Sequence, residues 1–177
     1  MPSPVGHALA GATVGLLVAG PSTRGQNTAP HALWWWGCAF ALLGAAPDLD
    51  LLLPVEHRGA SHGVGTAALV GLMAAGMTRS WRLAAAAAAA YAAHVLLDWL
   101  GTDTSPPTGV MALWPLSQAY YESHLHLFHA ISRRYGSAAF WTQNVRALTR
   151  ELLVLVPPFA IVLLAHARRV RRRPPAG

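Results

Sequence analysis

Apolar residues fall into five blocks along the chain, approximately over 5–20, 33–53, 64–77, 83–100 and 152–167. A membrane-spanning helix needs about 20 apolar residues, and several of the blocks are shorter. The short blocks are rich in glycine and alanine, which suits close packing of helices inside a membrane bundle. The pattern predicts an all-α fold, a polytopic membrane helical bundle with about five transmembrane helices.

The segment between the fourth and fifth blocks is not membrane-like. It opens with a loop rich in Pro, Thr, Ser and Gly over 101–109. Polar and aromatic residues follow, and they suggest amphipathic helices near 118–133 and 138–148. We therefore expect three regions: a four-helix membrane core over 1–100, an extramembrane insertion with amphipathic helices over 101–150, and a final membrane helix with a basic tail over 151–177.

The composition agrees with a membrane protein. Hydrophobic residues make up 54% of the 177 residues and charged residues only 11%, whereas soluble domains carry about 25% charged residues. An alanine-rich soluble protein is the alternative, but the blockwise distribution of the apolar residues disfavours it. The single cysteine, Cys38, excludes an intrachain disulfide and a zinc cage built from cysteines.

The net charge is +6, and a basic balance can indicate nucleic-acid binding. Here, however, five arginines crowd the last ten residues, directly after an apolar block: Arg168, Arg169, Arg171, Arg172 and Arg173. A basic cluster in this position is typical of a cytoplasmic membrane anchor. We therefore expect membrane lipid, and no nucleic acid, as a partner; the oligomeric state stays open.

Ionisable residues inside apolar segments are costly and usually functional. In this chain they are types that bind metals: His7, Asp48, Asp50, His57, His62, His94 and Asp98. His94 and Asp98 are four residues apart, so on a helix they share one face. Mixed imidazole and carboxylate ligands suit a divalent metal, with zinc first and manganese or iron as alternatives.

Taken singly, these residues have ordinary explanations as helix caps, loop residues or a hydrogen-bonded pair without a metal. Topology is what joins them. If all five blocks span the membrane, all seven side chains lie at the same membrane face. Capping alone does not explain that coincidence, so we predict one site.

These motifs resemble those of a bacterial inner-membrane metal-dependent hydrolase family of the YdjM-like, SOS-regulated type. The resemblance rests on His7, Pro47-Asp48-Leu49-Asp50, the segment from His57 to His62, His94-Val95-Leu96-Leu97-Asp98 and the segment from Gly109 to Leu116. It implies a helical membrane protein with a divalent metal, for which His7, Asp48, Asp50, His62, His94 and Asp98 would form the metal and catalytic set. His57 and Arg58 match as well. Gly63 stands where the family motif leads us to expect serine.

The expected activity is hydrolysis of an ester or phosphoester, with a lipid-linked substrate suggested by the site's place at the membrane. Asp50 or Asp98 would orient the attacking water or accept its proton, and Arg58 would hold an anionic group such as a phosphate. Two other classes remain open. The same side chains could serve proton or metal-ion transport, or they could hold a purely structural metal.

Arginine placement predicts the orientation. Arg24, Arg79, Arg82 and the basic tail fall on the side opposite the site, which the positive-inside rule makes cytoplasmic. The site would then face outward from the inner membrane, with the C-terminus in the cytoplasm.

Two features are left without a firm role. His124, His126 and His129 suit either an interfacial helix or a second metal segment, and Asp103 is either a turn residue or a further member of the site.

Overall fold

The computed structural model describes residues 1–20, 30–52, 57–104 and 106–171. They form five α-helices: α1 over Pro4–Ala19, α2 over Pro30–Ala45, α3 over Val64–Thr78, α4 over Trp81–Leu100 and α5 over Phe140–Arg171. Two 3-10 helices, Ala46–Leu52 and Ala60–His62, lie between α2 and α3. Within the described ranges there are no strands, only two isolated β-bridges. The all-α prediction is confirmed.

Serine residues begin two of the helices that carry the site. The Ser3 side chain accepts a hydrogen bond from the amide of Gly6, and Pro4 follows at the first helical position of α1. The Ser80 side chain accepts from the amide of Leu83 at the start of α4. Such side chains satisfy amides that have no partner within the helix. The bounds of α1 and α4 are thus set by local sequence.

Helix α1 lies at the centre of the bundle, where it contacts α2, α4 and α5, and α3 packs mainly on α4. Near the amino end of α1 the core contains Ala10, Ala93, Leu97, Phe128 and Leu155. Near its carboxyl end the core contains Leu16, Phe40, Ala86, Ala90 and Val162. Helix α5 therefore runs parallel to α1, from the end of the bundle where α1 begins to the end where α1 finishes.

In the part of the chain that the structure describes, two helices, α4 and α5, are long and apolar enough to cross a membrane. Helices α1 and α3 are also apolar, but they have only 16 and 15 residues. At 1.5 Å per residue, a 16-residue helix extends about 24 Å, less than the roughly 30 Å of a hydrocarbon core. The expectation of five spans is therefore not confirmed.

The insertion differs from the expectation. Residues 118–133 form no helix; they run as an irregular segment, with a turn at 124–125, that packs on the bundle, and Phe128 is only 1% exposed. The amides of Thr102 and Leu127 donate to the carbonyls of Phe128 and Leu100. Residues 140–148 are helical, but they form the first turns of α5, so the expected boundary at 150 falls inside a continuous helix. Burial of apolar side chains such as Phe128 overrides the amphipathic pattern of this segment.

Candidate metal centre

Four elements bring histidine and aspartate side chains together at one end of the bundle. His7 comes from the second turn of α1, and His94 and Asp98 come from the last turns of α4. The two 3-10 helices contribute Asp48 and His62. The side chains of His7, His62, His94 and Asp98 are fully buried, and that of Asp48 is 14% exposed. We refer to these five side chains, a candidate site for a metal ion, as the metal cluster.

The Asp98 carboxylate lies at the centre of this cluster. Its Oδ1 is 3.2 Å from Nε2 of His7, and its Oδ2 is 3.2 Å from Nε2 of His94 and 3.4 Å from Nε2 of His62. Oδ1 of Asp48 is 3.8 Å from Nε2 of His62 and 3.7 Å from Nε2 of His94. Three Nε2 atoms and two carboxylates therefore converge on one small volume.

Backbone contact fixes which nitrogen of His94 faces the cluster. Nδ1 of His94 lies 2.7 Å from the carbonyl oxygen of Gly44, so Nδ1 carries the proton and donates it.

Helices α1 and α2 touch at Gly11 and Gly44. A Cβ atom on Gly11 would lie 2.5 Å from the carbonyl oxygen of Phe40, and one on Gly44 the same distance from that of His7. Glycine is therefore required for the close approach of these helices.

His62 is held by a network on its outer side. Its Nδ1 lies 3.3 Å from Oδ2 of Asp50, and Ser61 Oγ donates to the same carboxylate oxygen at 2.7 Å. Oδ1 of Asp50 pairs with Nδ1 of His57 at 2.6 Å. Asp50 therefore lies behind His62, with its oxygens occupied by these contacts, and it orients His62 Nε2 towards Asp98. A carboxylate behind a histidine is a recurrent support of metal sites.

In the segments that connect the helices, the charges of histidines and carboxylates shift one another's pKa values. Burial alone would lower the pKa of His62, but Asp48, Asp50 and Asp98 outweigh it and raise that pKa to about 9. Burial opposes ionisation of Asp50, yet its bonds to His62, Ser61 and His57 bring its pKa well below the usual range. In the absence of a cation, the cluster therefore holds a proton on His62 to compensate its carboxylates.

The cluster fits a divalent ion by two criteria. Nε2 of His7, His62 and His94 and both oxygens of Asp98 are buried without a hydrogen-bond partner, and such atoms in a native protein require an explanation such as a bound ion. In addition, ligand atoms about 2.0–2.2 Å from a tetrahedral ion are about 3.3–3.6 Å apart. The observed nitrogen–oxygen separations of 3.2–3.8 Å lie close to that range.

The model for the YdjM inner membrane protein family matches residues 1–172. The chain belongs to the YdjM inner membrane protein family. No match was found among curated proteins or among solved structures. Family membership supports an inner-membrane location, and the match covers the whole candidate centre.

The YdjM family match includes His57 and Arg58, which lie on the outer side of the cluster. His57 is close enough to Asp48 and His62 that one ligand atom from each falls within 4.8 Å of the others. The Arg58 guanidinium is buried and forms an ion pair with Asp103. Asp103 also accepts from the amides of Thr104 and Gly109, so it supports the loop and Arg58 and does not join the metal cluster.

The exposed histidines lie apart from the cluster. His124, His126 and His129 are exposed on the non-helical insertion, where His126 faces Glu122 at 3.9 Å. The interfacial helix considered for these histidines is absent from the described insertion.

The presence of glycine rather than serine at position 63 has a steric reason: a Cβ there would lie 2.8 Å from Cβ of Trp114. The loop over 110–116 packs tightly on the start of α3, so a serine at 63 would require that loop to move.

Sequence reasoning missed several residues that build the site. Glu151 of α5 is fully buried and accepts hydrogen bonds from the amide and the hydroxyl of Ser3, which ties α5 to the start of α1. Its signal was available, because it is an acidic residue directly before the last apolar block. The hydrogen bond from His94 to the carbonyl of Gly44 could not be predicted, because every residue has a backbone carbonyl and residue type does not indicate which one accepts.

Proposed function

We propose that this YdjM-family protein is a membrane-bound, metal-dependent hydrolase that acts on an ester or phosphoester linked to a lipid. The observation that carries the proposal is the convergence of three buried Nε2 atoms and two carboxylates around Asp98, with separations of 3.2–3.8 Å and no other partners for most of these atoms. Residues of these types bind zinc, manganese or iron, and zinc is our first choice.

His7, His62, His94 and Asp98 would hold the ion, with Asp48 at the open side. A divalent ion in such a site supplies a Lewis acid and lowers the pKa of a bound water. Asp50 and Gly44 keep Nε2 of His62 and His94 directed inward through their contacts with the two Nδ1 atoms. These two contacts fix the tautomers that metal binding needs, before any ion arrives.

Within the cluster, Asp48 is the carboxylate best placed for proton transfer. Its side chain is 14% exposed, whereas that of Asp98 is fully buried. We therefore assign to Asp48 the acceptance of a proton from the attacking water, and to Asp98 the role of a ligand. Asp50, considered for catalysis on sequence grounds, acts as a positioning residue for His62. Arg58 would bind an anionic part of the substrate.

The apolar core below the cluster argues against transport. A proton or ion pathway needs polar groups at successive depths. Along the described residues, the layer next to the cluster towards the far end of the bundle contains Leu16, Phe40, Ala86, Ala90 and Val162. The apolar character of this layer favours a site at one end of the bundle over a pathway through it. A structural metal is then the main alternative to a hydrolase, and a measurement of hydrolytic activity distinguishes the two.

We further propose that all five helices lie in the membrane and that the metal cluster faces outward. Arg79 and Arg82 lie at the end of the bundle opposite the cluster, where Arg82 contacts Gly20 at the end of α1. Arg168 and Arg169 follow at the same end of α5. Arg24, Arg172 and Arg173 lie outside the described residues. A reporter fused after Gly177 that is active only in the cytoplasm supports this orientation; one active only outside contradicts it.

Activity is tested with purified full-length protein in detergent. Zinc-loaded protein should hydrolyse a lipid phosphoester or a chromogenic phosphodiester, and chelator-treated protein should not. Asp48→Asn should lower turnover strongly while the bound zinc is retained, whereas His129→Ala, at an exposed histidine, should leave both unchanged. Zinc binding without hydrolysis of any ester in a broad screen would favour a structural metal.

A further inference from the structure

A cavity of about 370 Å³ lies beside the metal cluster, and His57 belongs to its lining as well as to the network around Asp50. One wall comes from the segment that carries His57 and Arg58, and another from residues 103–104. The third wall is the extended segment over 130–134, closed by Gln143 from the first turns of α5. The volume is that of a small ligand site. A molecule bound here would reach the outer side of the metal cluster.

The charged groups of this cavity are mostly positive. Its lining includes three arginines, Arg58, Arg133 and Arg134, against one carboxylate, that of Asp103. Asp103 is already engaged by Arg58. Burial lowers the pKa of Arg58, and the charge of Arg133 acts in the same direction, which shows that these guanidinium groups share one neighbourhood. Positive charge concentrated in a recess attracts anions, and guanidinium groups bind phosphate through paired hydrogen bonds.

The wall that carries Arg133 and Arg134 is fixed in place. The Ser132 amide donates to Oδ1 of Asn144 at 2.6 Å, and Nδ2 of Asn144 donates back to the carbonyl of Ser132 at 3.1 Å. Nε2 of Gln143 donates to the carbonyl of Ala130 at 3.2 Å. These bonds join the extended segment to α5, so the two arginines are held on a defined wall rather than on a free loop.

Arg58 has a backbone conformation that is unusual for its residue type. Its φ angle is +67°, a left-handed conformation that favours glycine. Asp50 accepts from the amide of Arg58 at 3.3 Å, and the carbonyl of Arg58 accepts from the amide of Met111 at 3.1 Å. A non-glycine residue held in this region by its surroundings points to a requirement for its side chain.

The cavity lies next to an exposed aromatic group. Tyr135 and Trp141 are 81% and 74% exposed, and the ring of Phe140 packs on both, with centroid distances of 5.3 and 5.2 Å. Tyr135 follows Arg134 in the chain, and Trp141 precedes Gln143 by two residues. Exposed tyrosine and tryptophan are typical of the membrane–water interface, where lipid headgroups lie. The position of these rings favours a lipid over a soluble molecule as the source of the anion.

We infer that this cavity binds the phosphate ester of a phospholipid headgroup, with Arg133 and Arg134 as phosphate-binding residues and Arg58 between them and the metal cluster. The inference rests on the proposed hydrolase, whose substrate class it names. The bound phosphate ester would lie next to His57, which has a ligand atom within 4.8 Å of ligand atoms of Asp48 and His62. Binding of the phosphate ester would not require a metal ion, because Arg133 and Arg134 lie outside the metal cluster.

The test measures lipid binding to purified full-length protein in a non-ionic detergent, with a chelator present. The probes are phosphatidylglycerol in mixed micelles, diacylglycerol as the lipid without phosphate, and soluble glycerol phosphate. We expect binding of phosphatidylglycerol only. Arg133→Ala and Arg134→Ala should each weaken it about tenfold, because each removes a charged hydrogen-bond donor. Arg146→Ala, at an exposed arginine of α5 outside the cavity, removes the same charge and should have no effect.

Several outcomes would overturn the inference: unchanged binding by both cavity variants, an equal loss with Arg146→Ala, or equal binding of diacylglycerol. Tight binding of soluble glycerol phosphate would overturn the assignment to a lipid. His94→Ala should retain lipid binding, since His94 does not line the cavity. Binding that persists in a protein without metal or activity would support the cavity while contradicting the hydrolase, so the two proposals can fail separately.

Discussion

Nδ1 of His94 lies 2.7 Å from the carbonyl oxygen of Gly44, across the contact between α4 and α2. The carbonyl can accept only if Nδ1 carries the proton, which leaves the Nε2 lone pair directed at Asp98, 3.2 Å away. A lone pair facing a carboxylate in a buried site is unfavourable unless a proton or a metal ion lies between them. Helix packing at Gly44 therefore prepares His94 as a metal ligand.

Gly11→Ala should destabilise the protein because α1 and α2 touch at this position. The added Cβ would lie 2.5 Å from the carbonyl oxygen of Phe40 and 2.6 Å from Cα of Gly44, and both are backbone atoms that cannot move alone. We expect a loss of about 1–3 kcal/mol in the free energy of unfolding, measured by unfolding in detergent.

The matched control is Gly76→Ala, also in a helix but with nothing within 4 Å of the added Cβ. Alanine is the better helix former, so this variant should be neutral or stabilised by up to about 1 kcal/mol. Equal losses in the two variants would contradict the close contact between α1 and α2. Metal content should fall in Gly11→Ala alone, since the same contact brings Gly44 to His94.

His94→Ala should remove the bound metal. The substitution takes away one of three buried Nε2 ligands and leaves the carboxylate of Asp98 without its partner at 3.2 Å. Metal analysis of purified protein should give about one ion per chain for the wild type and close to none for the variant. His124→Ala, at an exposed histidine of the insertion, is the control and should match the wild type. Full metal content in His94→Ala would contradict the assignment of the cluster.

Much of the fold and the choice of candidate residues could be predicted from the sequence. The apolar blocks predicted the helices, and the spacing of His94 and Asp98 placed them on one face of α4, because helical periodicity is a local property. The family resemblance is confirmed by the match over residues 1–172. What was not predictable depends on tertiary contact: the non-helical path of residues 118–133, where burial of Phe128 overrides local preference, and the wall formed by Arg133 and Arg134.

The different positions of Asp48, Asp50 and Asp98 around the histidines also lay beyond the sequence. Asp48 and Asp50 are two residues apart in one 3-10 helix, and both carry the same chemical group. Only their placement separates them: Asp48 lies 3.8 Å from Nε2 of His62, and Asp50 lies 3.3 Å from Nδ1 of the same ring. A residue pattern cannot tell which nitrogen a carboxylate faces.

Asp50→Asn should weaken metal binding without abolishing it. The substitution keeps the shape of the side chain but removes the negative charge behind His62 Nδ1, where Ser61 and His57 also bind. Loss of such a supporting carboxylate typically costs 10–100-fold in metal affinity. Competition with a chelating dye would measure the change. An affinity equal to that of wild type would show that Asp50 does not support the site; loss of binding as complete as in His94→Ala would make Asp50 a direct ligand.

Metal affinity should rise with pH, because an ion must displace the proton of His62. Burial lowers the pKa of this imidazole, but the carboxylates of Asp48, Asp50 and Asp98 raise it to about 9, so at neutral pH the metal-free protein carries His62 in its protonated form. A ligand nitrogen must be neutral, and each bound ion therefore releases this proton. Between pH 7 and 8.5 the association constant for zinc should increase about tenfold per pH unit, as expected for one released proton. Calorimetry in two buffers with different ionisation enthalpies would count the proton directly.

In Asp50→Asn the imidazolium of His62 loses a carboxylate partner, so the pKa of His62 should fall and the rise in zinc affinity should level off at lower pH. An affinity that does not change between pH 7 and 8.5 in the wild type would mean that His62 is already neutral there and that its carboxylate neighbours do not hold the proton.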